Sequence, residues 1–160
     1  MKTKNKIVAF CLVCFVCIGC DRATKGFAKL HLKDKPAQSY FHNTVRLEYV
    51  ENTGAFLSFG ENWPHAVSFW ALSIFPLLFL SGFFVYAVSK AKDVNFFELL
   101  PFAFIFSGGV GNIVDRILYD RHVIDFMNLG IVNLRTGIFN FADICVTTGV
   151  LLLMVNSLKK

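Results

Sequence analysis

Charge is scarce in this chain. Only 17% of its 160 residues are Asp, Glu, Lys or Arg, against about a quarter in a soluble globular domain, and that deficit excludes an ordinary water-soluble globule. Proline, with four residues, and glycine, with eleven, are too few for collagen or a low-complexity linker, and the low charge excludes disorder. What fills the space is apolar: 55% of residues are hydrophobic, 16% are aromatic, and the mean hydropathy is +0.55. Such a chain belongs in a membrane.

The net charge of +5 would suit a nucleic-acid partner, but its placement argues against one. Lys2, Lys4, Lys6, Lys90, Lys92, Lys159 and Lys160 crowd into short flanks of apolar runs beside two acids, Asp93 and Glu98, and the rest of the chain nets zero. A basic excess in short flanks is the positive-inside pattern. It puts both termini and the loop near Lys90 in the cytoplasm.

Apolar runs of about 20 residues, the length that crosses about 30 Å of hydrocarbon, occur at about 7–30, 66–88, 96–114 and 139–158. Four spans return the chain to its starting side, as the charges require, and leave extracytoplasmic loops at about 31–65 and 115–138. The second span has no charge in 23 residues, and Pro76 should kink it rather than end it. The first is ambiguous. Lys2, Lys4 and Lys6 precede a 13-residue apolar core, Ile7 to Gly19, and Gly19-Cys20 imitates the end of a lipoprotein signal. The alternative, favoured by the three spans that follow and by Cys17 where such a signal wants Leu, is a helix continuing through Asp21 to about Leu30. In the first long loop, the alternation of Val45 to Val50 predicts a half-buried strand, and Glu51-Asn52-Thr53-Gly54 predicts a turn. The fold expected is an all-α membrane protein of four transmembrane helices, in one integral domain, with a small extracytoplasmic β-containing subdomain.

Cys11, Cys14, Cys17 and Cys20 are spaced like a zinc or iron–sulfur motif. Helix geometry opposes this: each step of three residues turns about 300°, and the run covers about 13.5 Å of axis. One metal cannot collect four such sulfurs, so these cysteines, and Cys145 in the last span, read as packing residues. No metal and no cofactor are expected.

The informative residues are the acids at membrane depth, where desolvation makes ionisable groups costly. Asp115 has a simple explanation in the adjacent Arg116. Asp125, in Val123-Ile124-Asp125-Phe126, and Asp143, in Phe139-Asn140-Phe141-Ala142-Asp143, lack such a neighbour and share one membrane boundary. Two carboxylates brought within about 3 Å share a proton and can activate a water, as aspartyl proteases do. The same pair would equally serve a small proton or cation carrier. The four histidines have no nucleophile motif beside them.

Five ordered blocks complete the pattern: Asp21-Arg22-Ala23-Thr24-Lys25, Asn52-Thr53-Gly54-Ala55-Phe56, Gly108-Gly109-Val110-Gly111-Asn112-Ile113-Val114-Asp115-Arg116, Val123 to Phe126, and Phe139 to Asp143. In this order, with four spans, the chain resembles the type II, or lipoprotein, signal peptidases over nearly its whole length. The resemblance implies a bacterial inner-membrane aspartyl endopeptidase that cuts signal peptides from prolipoproteins before a diacylglyceryl-modified cysteine, without a metal. Asp125 and Asp143 match the catalytic pair of that family. Asp21, Lys25, Asn52, Gly54, Asn112, Asp115, Arg116 and Asn140 match its other motif positions, supporting or substrate-contacting. The expected partners are a lipid-modified prolipoprotein and membrane lipid, with no nucleic acid, and the expected state is a monomer. Two departures stand out: Phe56-Leu57, where members commonly have Ala-Phe, and Ile144, where a small or hydroxyl residue is common.

Overall fold

The computed structural model describes residues 1–55, 59–131 and 134–158; Phe56 and Leu57, and the closing Lys159-Lys160, lie outside them. Its helices are α1 (Thr3–His31), α2 (His65–Phe69), α3 (Phe75–Lys90), α4 (Phe96–Leu118) and α5 (Phe141–Leu158). A π-helical turn, Trp70–Ile74, joins α2 to α3, so that His65–Lys90 runs as one span. Four helices are therefore long and apolar enough to cross a membrane. The strands β1 (Gln38–Tyr40), β2 (Val45–Asn52), β3 (Val123–Ile131) and β4 (Leu134–Arg135) form one antiparallel sheet in that order.

Each boundary has a local cause. α1 passes through Asp21-Arg22 unbroken because Asp21 and Lys25, one turn apart, bury their opposite charges against each other. Pro76 lies just inside α3: a proline ring excludes the preceding turn's carbonyl, and the widened π turn ahead of it absorbs the misfit. The acid near the start of the third span is a cap. Asn95 Oδ1 accepts from Glu98 N at 3.1 Å, and Glu98 Oε1 accepts from Asn95 N at 3.4 Å. α4 runs on to Leu118, one turn beyond the apolar run read from the sequence, so Asp115 and Arg116 are helical residues.

In lipid, helices gain nothing from leaving water and associate through close van der Waals contact. α4 provides it with glycines. A Cβ on Gly109 would lie 2.5 Å from Leu80 Cδ1 on α3, and one on Gly111 would lie 2.8 Å from Asp21 Oδ2 and 3.2 Å from Ala142 Cβ. α4 is thus the central helix, packed by α1, α3 and α5. Phe10, Cys14, Ala87, Leu99 and Ala103 form the core at the end remote from the sheet, and Ala28, Leu32 and Phe126 seal the sheet end. Gly111→Ala should lower thermal stability in detergent by about 1–3 kcal/mol, since the added methyl meets a fixed carboxylate and a helix rather than a flexible side-chain end. A thermal melt as stable as wild type would show that α1 and α5 can move apart.

Candidate active site

Asp125 lies on β3 and Asp143 in the first turn of α5, and one buried side chain joins them. Asn140 Nδ2 donates to Asp125 Oδ1 at 2.7 Å. Its Oδ1 accepts from Asp143 N at 3.1 Å, while Asp143 Oδ2 accepts from Asn140 N at 2.9 Å, a reciprocal cap that starts α5. The residue that caps the helix therefore also sets the spacing of the two carboxylates. Asn140 Nδ2 also donates to Asn112 Oδ1 at 3.0 Å, and Asn112 Nδ2 donates to Asp143 Oδ1 at 2.9 Å. From the other side, Asn52 Nδ2 donates to Asp125 Oδ2 at 3.1 Å, and Asn52 Oδ1 accepts from Gly54 N at 2.9 Å in an Asx turn.

Behind this amide layer lies a buried ion cluster. Lys25 Nζ sits 2.9 Å from Asp21 Oδ2, 2.8 Å from Asp115 Oδ2 and 3.0 Å from Asn112 Oδ1. Arg22 pairs with both Asp21 and Asp115. The expected neutralisation of Asp115 by Arg116 is incorrect: successive helical residues point about 100° apart, and Arg116 instead donates to Gly54 O at 2.7 Å and Asn112 O at 3.4 Å. Arg22 was missed as a site residue. Its place in the first motif, one residue after Asp21, was the available signal. The four carboxylates thus divide into two roles: Asp21 and Asp115 bind cations, whereas among the described residues Asp125 and Asp143 bond to amides and not to a cation.

Burial, followed by the neighbouring charge of Asp143, pushes the Asp125 carboxyl up to about 6, against the opposing N–H donors of Asn52 and Asn140. The pair opens on a cavity of about 890 Å³. Asn52, Arg116, Asp125 and Asp143 line its polar end. Below them α3 and α5 each pack on α4, and Phe79, Ile105 and Val146 make apolar walls of a groove. Ile144 lines this groove as well. Among the described residues no group of three or more His, Cys, Asp or Glu could hold a metal ion; Cys14 and Cys17 are buried on α1 while Cys11 and Cys20 are exposed, the rotation that helical spacing requires.

Two carboxylates held by amides at the mouth of an apolar groove are an arrangement that comparison with known proteins can test. The model of the signal peptidase (SPase) II family matches residues 13–159, which include the ion cluster, the amide layer and both carboxylates. The chain belongs to the signal peptidase II family. It is 37% identical over 124 residues to a lipoprotein signal peptidase of Borreliella afzelii, covering 73% of this chain and 69% of that one. A lipoprotein signal peptidase of Chlorobium phaeobacteroides is 34% identical over 144 residues, covering 84% and 81%. The fold is similar to two solved bacterial membrane enzymes, with TM-scores of 0.82 and 0.81 at 24% and 25% identity, covering 96% of this chain and 89% and 95% of theirs. Membership in the signal peptidase II family makes the four apolar helices those of a bacterial membrane protein.

Proposed function

We propose that the chain is a membrane aspartyl endopeptidase that removes signal peptides from diacylglyceryl-modified prolipoproteins, cutting before the lipidated cysteine, with Asp125 and Asp143 as its catalytic pair. The observation that carries this is the shared Asn140, whose buried side-chain amide donates to the Asp125 carboxylate on the sheet and whose backbone N–H donates to the Asp143 carboxylate at the start of α5. Asp125, with its raised affinity for protons, holds the shared proton at rest; Asp143 is the base. It takes a proton from a water as that water attacks the scissile carbonyl carbon, and Asp125 donates to the carbonyl oxygen. Collapse of the tetrahedral intermediate returns a proton to the leaving amine. A proton or cation carrier using the same pair finds no support in the apolar groove beneath it.

The basic flanks support an inner-membrane enzyme with both termini in the cytoplasm, so that the pair faces the outer boundary. The apolar helix of the signal peptide fits the groove between α3 and α5. An acyl chain, at about 0.8 kcal/mol per buried CH₂, would hold the scissile bond at that boundary, and a monomer contains every residue the scheme uses. The Asn52–Gly54 turn, tied to Arg116, forms one side of the entrance. The test is cleavage by purified protein of one precursor with and without its diacylglyceryl group. Rapid processing of the lipidated form alone is expected. Equal cleavage of both would remove the lipid from recognition, and failure on both would remove the peptidase.

The proton assignment has its own test. Asn52 donates to charged Asp125 and so lowers its pKa; Asn52→Ala removes that donor and the pKa rises. A protonated Asp125 is needed for donation, so kcat/KM should fall as pH rises through this pKa, and the variant's alkaline limb should move to higher pH. An unmoved or lowered limb would give the proton to another group.

A further inference from the structure

The sheet carries an apolar edge that the catalytic scheme leaves unused. The β1–β2 turn and the β3–β4 hairpin end lie side by side: Gly130 N donates to Thr44 O at 2.9 Å, and Arg135 Nη1 donates to Asn43 O at 2.7 Å. From this joint tip Phe41, Ile131 and Leu134 stand 79%, 74% and 84% exposed. Three consecutive residues that are not glycine, Phe41, His42 and Asn43, hold φ angles of 50°, 52° and 66°. A phenylalanine there is unfavourable twice over in water, because its Cβ is crowded by the left-handed backbone and its ring is unburied. The turn is nevertheless braced: Asn43 Oδ1 accepts from Ser39 Oγ at 3.1 Å and from Arg46 Nε at 2.6 Å.

Strand β3 links the apolar edge to the groove. Leu129, two residues before Ile131 on β3, lines the same cavity as Phe79 of α3 and Ile144 of α5. The geometry points to the tip as a membrane anchor, with Phe41, Ile131 and Leu134 seated among the lipids of the leaflet that the sheet overlies. Ring and aliphatic side chains that are stranded in water are at home at this boundary, and the braced turn transmits their depth to the sheet. Because β3 carries Asp125 six residues before Ile131, about 20 Å along the strand, the anchor sets the height of the carboxylate above the bilayer. This inference rests on the membrane-spanning fold and on the outer-boundary placement of the sheet, and not on the peptidase chemistry.

Single-tryptophan reporters test it. In a background in which Trp63 and Trp70 are replaced by Phe, Phe41→Trp, Ile131→Trp and Leu134→Trp proteins are reconstituted separately into phosphatidylcholine vesicles without precursor. A Lys35→Trp protein is the water-exposed control, Lys35 being exposed between α1 and β1. The tip reporters should be quenched by lipids brominated high on the acyl chain and protected from iodide, and the control should show the reverse. Adding Phe41→Gly, which removes both ring and strain, should cut lipid quenching of the Ile131→Trp reporter about twofold. Iodide quenching of all three tip reporters at the control's level overturns the anchor. So does lipid quenching that appears only when precursor is added, which would make the tip a substrate contact, or protection that vanishes as protein is diluted in lipid, which would make it a contact between copies. Since no precursor is needed, a failed anchor leaves the peptidase proposal standing, and a failed peptidase assay leaves the anchor standing.

Discussion

Asp125→Asn and Asp143→Asn are each expected to slow cleavage of a lipid-modified precursor by about 10³-fold or more, while the protein stays folded in the membrane. The size follows from the division of labour proposed above. With Asp125 neutral and unable to give up a proton, the carbonyl oxygen loses its acid; with Asp143 neutral, the water loses its base. Either loss stops the same step. The double variant should therefore be about as slow as either single one, because the second substitution removes a partner that no longer has a function. Losses that multiply would mean that the two carboxylates act on separate steps, and the shared-proton scheme would fail. Folding is the necessary control, and thermal melts in detergent supply it: Asn preserves the size of Asp, and neither carboxylate pairs with a cation among the described residues.

The spans and the two carboxylates were legible in the sequence for a common reason: the membrane imposes a long apolar period, and any acid that breaks it stands out. Asp125, Asp143, Asn140 and Asn112 are polar residues set among apolar neighbours, and the structure brings them to one place. Partnerships among the charges were not legible. Asp115 and Arg116 are adjacent in sequence and diverge on the helix, whereas Asp115 and Lys25 are 90 residues apart and in contact. Pairing of that kind depends on how α1 crosses α4, and the crossing depends on glycines whose empty space no periodicity records. β3 was hidden for a different reason. Val123 to Phe126 is buried on both faces, so the alternation that announced β2 is absent from it. The π turn ahead of Pro76 appears in the sequence only as the proline that provokes it.

The second large effect belongs to Lys25, and it is expected in stability. Lys25 is 1% exposed, and its ammonium is bonded to two carboxylates and an amide, so all three protons are used. Lys25→Met leaves Asp21 and Asp115, both buried, to share Arg22 alone, and breaking a buried pair in this way costs about 3–5 kcal/mol. Set against a total stability of about 5–15 kcal/mol, that is enough to leave much of the protein unfolded on mild heating. The cluster also reaches the chemistry through the backbone. Asp21 Oδ1 accepts from Ala142 N at 3.0 Å, one residue before Asp143, and Asp115 Oδ2 accepts from Ile124 N at 3.3 Å, one residue before Asp125. Each buried acid thus holds the chain next to one member of the pair, so the ions act as positioning groups for both. Adding Asp115→Asn to Lys25→Met removes the surplus negative charge and keeps an oxygen for Ile124 N, and it should recover at least half of the lost stability. The measurement is thermal denaturation in detergent of wild type, the single variants and the double variant, with Lys33→Met, at an exposed pair with Glu51, as the surface control. If Lys25→Met melts like Lys33→Met yet fails to cleave, Lys25 acts on the substrate and not on the fold, and the ion cluster loses the structural role argued for it.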